Sequence, residues 1–219
     1  MQLQIAPSIL SADFLELGRD IRILNGSADV IHLDVMDGVQ VPNLSFGFSV
    51  VDAVSKVAQI PMDAHLMICD PAKYADRFIE SGVKYLSFHY EAAKDGTEEL
   101  LAHIRSKGVR AGVAINPDVP VETLFQFIGK ADFFLVMSVF AGFGGQKFIE
   151  DSIGRISELR AEIVRRGDSA VIEVDGGVSV SNIAALCKAG ARMFVAGSSV
   201  FKGGDPAGAI QSLREAASE

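Results

Sequence analysis

The chain has no tryptophan, two cysteines and seven prolines in 219 residues, and no apolar run that reaches the roughly 18 residues a membrane span needs. Each shortage removes a class of protein. Cys69 and Cys187 have neither the number nor the spacing for a disulfide framework or a thiolate metal site, so both are expected to be reduced bystanders. The first residues, MQLQIAPSIL, lack the basic stretch and apolar segment of an export signal, so the protein is expected to be cytoplasmic and away from membranes. Basic blocks are missing too. A formal net charge of −8, spread along the chain without an acidic tail, argues for solubility and against a nucleic-acid partner.

Apolar side chains are plentiful, at 49%, and they recur in a repeated unit: a short apolar run, a loop rich in Gly, Pro, Asp or Asn, then an amphipathic stretch. Such units are βα repeats. The runs at 4–9, 30–34, 62–67, 85–89, 110–115, 133–137, 171–174 and 193–196 are predicted strands, several apolar almost throughout, as parallel strands covered on both faces must be. Helices are predicted at 14–24, 49–57, 72–81, 97–107, 121–128, 152–166, 181–189 and 206–217. Asp13 and Glu16 have the spacing of a capping box, and Pro71 and Pro120 sit where first turns begin. Gly26, Gly82, Gly108, Gly129, Gly167 and Gly190 follow predicted helices, where a left-handed C-cap calls for glycine. Eight units in this length predict one α/β domain over 1–219, a (β/α)8 TIM barrel rather than an open doubly wound sheet.

In that fold, chemistry sits where the strands end. Those ends are polar: Pro7-Ser8 after the first strand, His32-Leu-Asp34-Val-Met36 on the second, Asp63-Ala-His65-Leu-Met67 on the third, His89 on the fourth and Asp175-Gly-Gly177 on the seventh. Side chains alternate along a strand, so His32 and Asp34 share one side, which a barrel can make its lumen. With His65 and Asp175 they make a candidate N2O2 ligand set for one divalent ion, suited to zinc and open to iron, manganese or cobalt. Isolated polar groups in a wet barrel mouth would also explain any one of them, but not four together. Three successive loops are glycine-rich: Gly142-Phe143-Gly144-Gly145-Gln146, Gly176-Gly177 and Gly197-Ser198-Ser199. Turn-making alone could account for each; their convergence after strands six, seven and eight points to a phosphate monoester.

These segments resemble the ribulose-phosphate 3-epimerase family. The resemblance runs through Ile5 to Asp13, Ile31 to Gly38 with Val41 to Asn43, Asp63 to Met67, Gly142 to Phe148, Glu173 to Gly177 and Val195 to Ser198, in order and across the whole barrel. It implies that His32, Asp34, His65 and Asp175 hold the metal, and that Asp34 and Asp175 double as the acid/base pair. Ser8 and His65 become substrate contacts, and Gly142, Phe143, Gly144, Gly145, Gly176, Gly177, Gly197 and Ser198 the phosphate side of the pocket. Met36, Met67 and Met137 resemble the family's methionine cap, although apolar filling explains them equally. The implied protein is a homo-oligomer acting on a phosphorylated ketose.

Two segments depart from the family's pattern: Phe140-Ala141 stands where a polar residue and proline are usual, and Val39-Gln40 where histidine and an aromatic are usual. Neither change removes a ligand or base. The expected reaction is inversion at C3 of D-ribulose 5-phosphate to D-xylulose 5-phosphate through a 2,3-enediolate, with a six-carbon sugar such as D-allulose 6-phosphate as the rival substrate. An aldolase or decarboxylase on the same barrel would want a lysine at a strand's catalytic end, and Met36 stands between Asp34 and Asp37 instead. A non-catalytic phosphometabolite-binding barrel is the remaining alternative.

Overall fold

A computed structural model describes residues 3–218; residues 1, 2 and 219, the ends of the expected domain, lie outside the described residues. Eight strands follow one another with helices between: β1 (Gln4–Pro7), α1 (Leu17–Ser27), β2 (Ile31–Met36), α2 (Phe48–Ser55), β3 (Met62–Met67), α3 (Pro71–Glu80), β4 (Tyr85–His89), α4 (Tyr90–Ala93) and α5 (Thr97–Ser106). The second half comprises β5 (Arg110–Ile115), a 3₁₀ segment (Val121–Phe127), β6 (Phe133–Met137), α6 (Ser152–Arg165), β7 (Val171–Asp175), α7 (Ile183–Ala189), β8 (Met193–Ala196), α8 (Ser198–Phe201) and α9 (Pro206–Ala216). All seven adjacent strand pairs are parallel, in the order β1-β8-β7-β6-β5-β4-β3-β2. The ring closes between β1 and β2 through one isolated parallel bridge, Ser8 to His32. This is the expected TIM barrel.

Strand alternation stacks the lumen in storeys. Val30, Tyr85, Phe133, Val171 and Met193 form a buried apolar plug, and a methyl on Gly112 would lie 2.4 Å from the Phe133 ring, so glycine there leaves the ring its space. Above the plug come His32, Asp63 and Glu173, then Asp34, His65 and Asp175, then Met36, Met67 and Met137. Each of β2, β3 and β7 therefore climbs two residues at a time from the floor toward the mouth.

Several local expectations shift. Helix α1 starts at Leu17, not residue 14, because Asp13 spends its carboxylate on the Leu15 N–H (3.0 Å) in a tight turn; Glu16 is the N-cap and makes no side-chain cap, so the capping box does not form. Gly26 lies inside α1, whereas Gly82, Gly108, Gly129, Gly167 and Gly190 all have positive φ as expected. The helix expected after Pro120 is 3₁₀. The first strand stops at Pro7, where Ser8 caps a 3₁₀ turn at Ile9–Ser11 by accepting from the Leu10 N–H. The second runs on to Met36, and the seventh includes Asp175.

Candidate active site

The register of β2 against β3 sets Asp34 beside His65 and His32 beside Asp63. Asp175 arrives from β7, on a different wall, and brings an oxygen to 3.7 Å from His65 Nδ1. Asp34 Oδ1 lies 3.7 Å from that same nitrogen and 3.4 Å from His32 Nε2. The four side chains thus converge as expected, with one donor atom from each within 4.8 Å of the others.

A cation fits these donors. Separations of 3.4 and 3.7 Å are long for hydrogen bonds; they suit neighbouring ligands around an ion held by bonds of about 2.1 Å. His32 Nε2 and His65 Nδ1 are buried with no hydrogen-bond partner, which is costly unless something else is seated between them. Burial opposes charge on His32, yet Asp34 and Asp63 lift its pKa well above the ordinary imidazole value. Burial likewise opposes charge on His65, and Asp175 and Asp34 raise it. Burial would raise Asp34, but His32 and His65 hold it well below the usual carboxylate range. The cluster attracts positive charge, whether as imidazolium protons or as a divalent ion.

Behind the four candidate ligands lies a set of neighbouring polar groups that sequence reasoning did not assign. His32 Nδ1 meets Asp63 Oδ2 at 2.7 Å, which aims Nε2 at the ligand cluster. Glu173 stands 3.6 Å from the same nitrogen, and burial, reinforced by Asp63, pushes its pKa well up toward the neutral acid. His65 Nε2 meets His89 Nε2 at 2.9 Å. The signal was available: Asp63 precedes His65 by two residues and Glu173 precedes Asp175 by two, the same alternation that paired His32 with Asp34. Ser45 was invisible, since it reaches the Asp34 carbonyl and the Met36 N–H only through the loop after β2.

Ser8 Oγ donates to Asp34 Oδ2, and Ser8, Asp34 and Asp175 line a cavity at the mouth of the barrel. Met36, Met67, Met137, Gly142, Phe143, Gly144, Gly145, Gly176, Gly177, Gly197 and Ser198 line it as well. His65 is fully buried and is not part of that wall. Among the described residues, no lysine or arginine lines the cavity. Glycine is needed there for proximity: a methyl on Gly177 (φ 63°) would sit 2.8 Å from the Phe148 nitrogen, and one on Gly197 2.7 Å from Ser11 Oγ.

Residues 4–201 match the Ribulose-phosphate 3 epimerase family. The chain belongs to this family. It is 42% identical over 214 residues to the ribulose-phosphate 3-epimerase of Bacillus subtilis (strain 168), covering 97% of this chain and 98% of that one. It is 41% identical over 213 residues to the enzyme of the same name from Mycobacterium tuberculosis (strain ATCC 25618 / H37Rv), covering 97% and 92%. This family member is therefore an epimerase. Its fold is shared with 3-hexulose-6-phosphate synthase from Salmonella typhimurium (TM-score 0.73, 16% identity, 98% of both chains). Orotidine 5'-phosphate decarboxylase from Pyrococcus horikoshii OT3 has the same fold (TM-score 0.70, 13% identity, 98% of this chain and 99% of that one). At such identities the likeness concerns fold alone.

Proposed function

We propose that the protein interconverts D-ribulose 5-phosphate and D-xylulose 5-phosphate by moving the C3 proton between Asp34 and Asp175. The observation that carries this reading is the convergence of the two carboxylates, from separate walls of the barrel, on His65 Nδ1 at 3.7 Å each, with both lining one cavity. His32, Asp34, His65 and Asp175 would hold a divalent ion, whose Lewis acidity would stabilise the charge that develops on the sugar's oxygens; the N2O2 donor set admits zinc, iron, manganese or cobalt.

The chain's own residues do the rest. One aspartate takes the C3 proton as the C3–H electrons move into the C2–C3 bond, and the carbonyl electrons move onto the C2 oxygen. The other returns a proton to C3 from the opposite face, and the two exchange roles with the direction of reaction. Asp34 is suited to be ionised because its histidine neighbours keep its pKa low. Ser8 ties down one of its oxygens and so fixes the direction of the other. Met36, Met67 and Met137 close over the reacting carbons with apolar surface, excluding water that would quench the enediolate. The glycine-rich segments after β6, β7 and β8 hold the phosphate.

The same reading has the enzyme in the cytoplasm as a homo-oligomer, with neither nucleic acid nor membrane as partner. Exposed Leu15, Val39 and Leu44 support self-association, and among the described residues no helix is long and apolar enough to cross a membrane. The decisive experiment incubates the protein in D₂O, with and without chelator, with ribulose 5-phosphate and separately with allulose 6-phosphate. Inversion with deuterium at C3 of the pentose, abolished by chelator and by Asp34→Asn or Asp175→Asn, is the expected result. Absence of both exchange and inversion on either sugar, with metal supplied, would sink the proposal.

A further inference from the structure

His65 is the ligand whose far side is not anchored by a carboxylate. If Nδ1 offers its lone pair to a cation, the ring proton must be on Nε2, and the group facing Nε2 is His89 Nε2 at 2.9 Å. His89 then accepts at that nitrogen, and its own proton sits on Nδ1, directed at Glu91 Oε1 at 3.5 Å. The same Glu91 oxygen receives the Asn116 Nδ2–H at 2.9 Å and the Asn116 N–H at 3.2 Å. Asn116 has one acceptor left on its side chain. Its Oδ1 takes the Ala141 N–H at 3.0 Å, in the loop that follows β6. That loop carries Phe140, Gly142, Phe143, Gly144 and Gly145 into the cavity wall, and Ala141 itself packs against Met36, Met67 and Met137.

A line of polar contacts therefore runs from a proposed ligand to the loop over the substrate, its longest step being at His89 Nδ1, which lies 3.5 Å from Glu91 Oε1 and 3.4 Å from Asn116 Nδ2. Its inner members, His65 and His89, are wholly buried, so a broken link cannot be replaced cheaply by water. Arg155 of α6 fixes the outer end by donating to the carbonyls of Asn116 (2.9 Å) and Val119 (2.9 Å). We infer that His89, Glu91 and Asn116 are positioning residues that fix the His65 tautomer and seat the 140–145 loop together, so that cation binding and loop placement are energetically coupled. This rests on the metal-dependent reading above. Coupling of this kind is reciprocal: whatever strengthens the ligand end steadies the loop, and a loosened loop weakens the ligand end.

The test uses the full chain, zinc ion as probe and competition with a fluorescent chelator to read affinity. Removing an orienting partner of a metal-bound histidine costs about 10- to 100-fold in affinity. His89→Phe is expected to fall in that range, and His89→Gln, whose amide oxygen can accept from Nε2, to recover most of the loss. Asn116→Ala is expected to weaken zinc binding severalfold and to speed hydrogen exchange of the Ala141 amide about tenfold. In the wild type zinc slows that exchange; in Asn116→Ala the zinc effect disappears. A merely structural role would lower the melting temperature and leave the affinity of the folded protein unchanged. Should His89→Phe fail to fold, Asn116→Ala, on a loop, carries the test alone. Unchanged zinc affinity in both variants, or a loosened loop in Asn116→Ala with zinc affinity intact, would overturn the coupling. A wild type that epimerises and binds zinc while the variants behave this way disproves the relay only; a wild type that binds no zinc takes the metal-dependent reading down with it.

Discussion

The floor of the site and its rim are built by different physics. On the floor, His32, Asp63, Glu173, His65 and His89 have no exposed surface, and strand register sets which of them are neighbours. On the rim, Phe140 and Phe143 are about half exposed, at 52% and 53%, and Gln146 braces that loop by donating to the carbonyls of both. A floor group cannot move without dragging a strand; a rim group moves with a loop. In the proposed reaction the floor would govern whether a proton is taken from carbon, and the rim which sugar is held.

The comparison breaks most visibly at the proposed acid/base pair. Asp34→Asn and Asp175→Asn each are expected to lower kcat by at least about 10³-fold while leaving the barrel folded, read by C3 deuterium exchange and circular dichroism. A fall of less than tenfold in either would mean that the proton travels elsewhere. One storey lower, Asp63→Asn deprives His32 of its charged partner, so zinc affinity should drop about 10- to 100-fold with little change in kcat once zinc is saturating. An equal loss of kcat at saturation would place Asp63 in the chemistry instead.

A pH titration of stability probes the strut between floor and rim. Burial would raise Glu91, but His89 and Asn116 hold it at about 2, below its ordinary 4.5. A depressed carboxylate stabilises the fold above its unfolded value, and that contribution is lost as pH falls from about 4.5 toward 2. Allowing for screening of a partly exposed group, Glu91→Gln should cost about 2 kcal/mol at pH 7. The difference from wild type should close in acid, as followed by urea unfolding at several pH values. The smallest effect belongs to the rim: Phe143→Ala should raise KM about threefold and leave kcat within about twofold. A collapse of kcat instead would show that the rim takes part in the floor's work.

The sequence disclosed the two regions unevenly. Apolar runs and helix-terminating glycines made the barrel legible, and alternation along β2 made His32 and Asp34 legible as a pair. The same alternation on β3 and β7 placed Asp63 and Glu173 on the lumen side, but which of them meets His32 depends on strand register, which the alternation does not give. Asn116 was harder still. Its side-chain oxygen accepts from the N–H of Ala141, a partner 25 residues away whose own side chain is a methyl group. Helix α1 started late for a local reason: Asp13 has a stronger use in its own turn than as a cap.

Seven strand pairs of the barrel are joined over three residues or more, but the seam between the first two strands is held by the Ser8–His32 bridge just past β1 and by the Asp29 N–H donating to the Ile5 carbonyl. Ser8 is also the residue that grips Asp34. During refolding, a chain whose sheet has formed but whose ring is still open would show nearly full secondary structure while the Asp34 carboxylate swings free. Recovered activity should then lag behind recovered circular dichroism, and the length of the lag would time the closing of the seam.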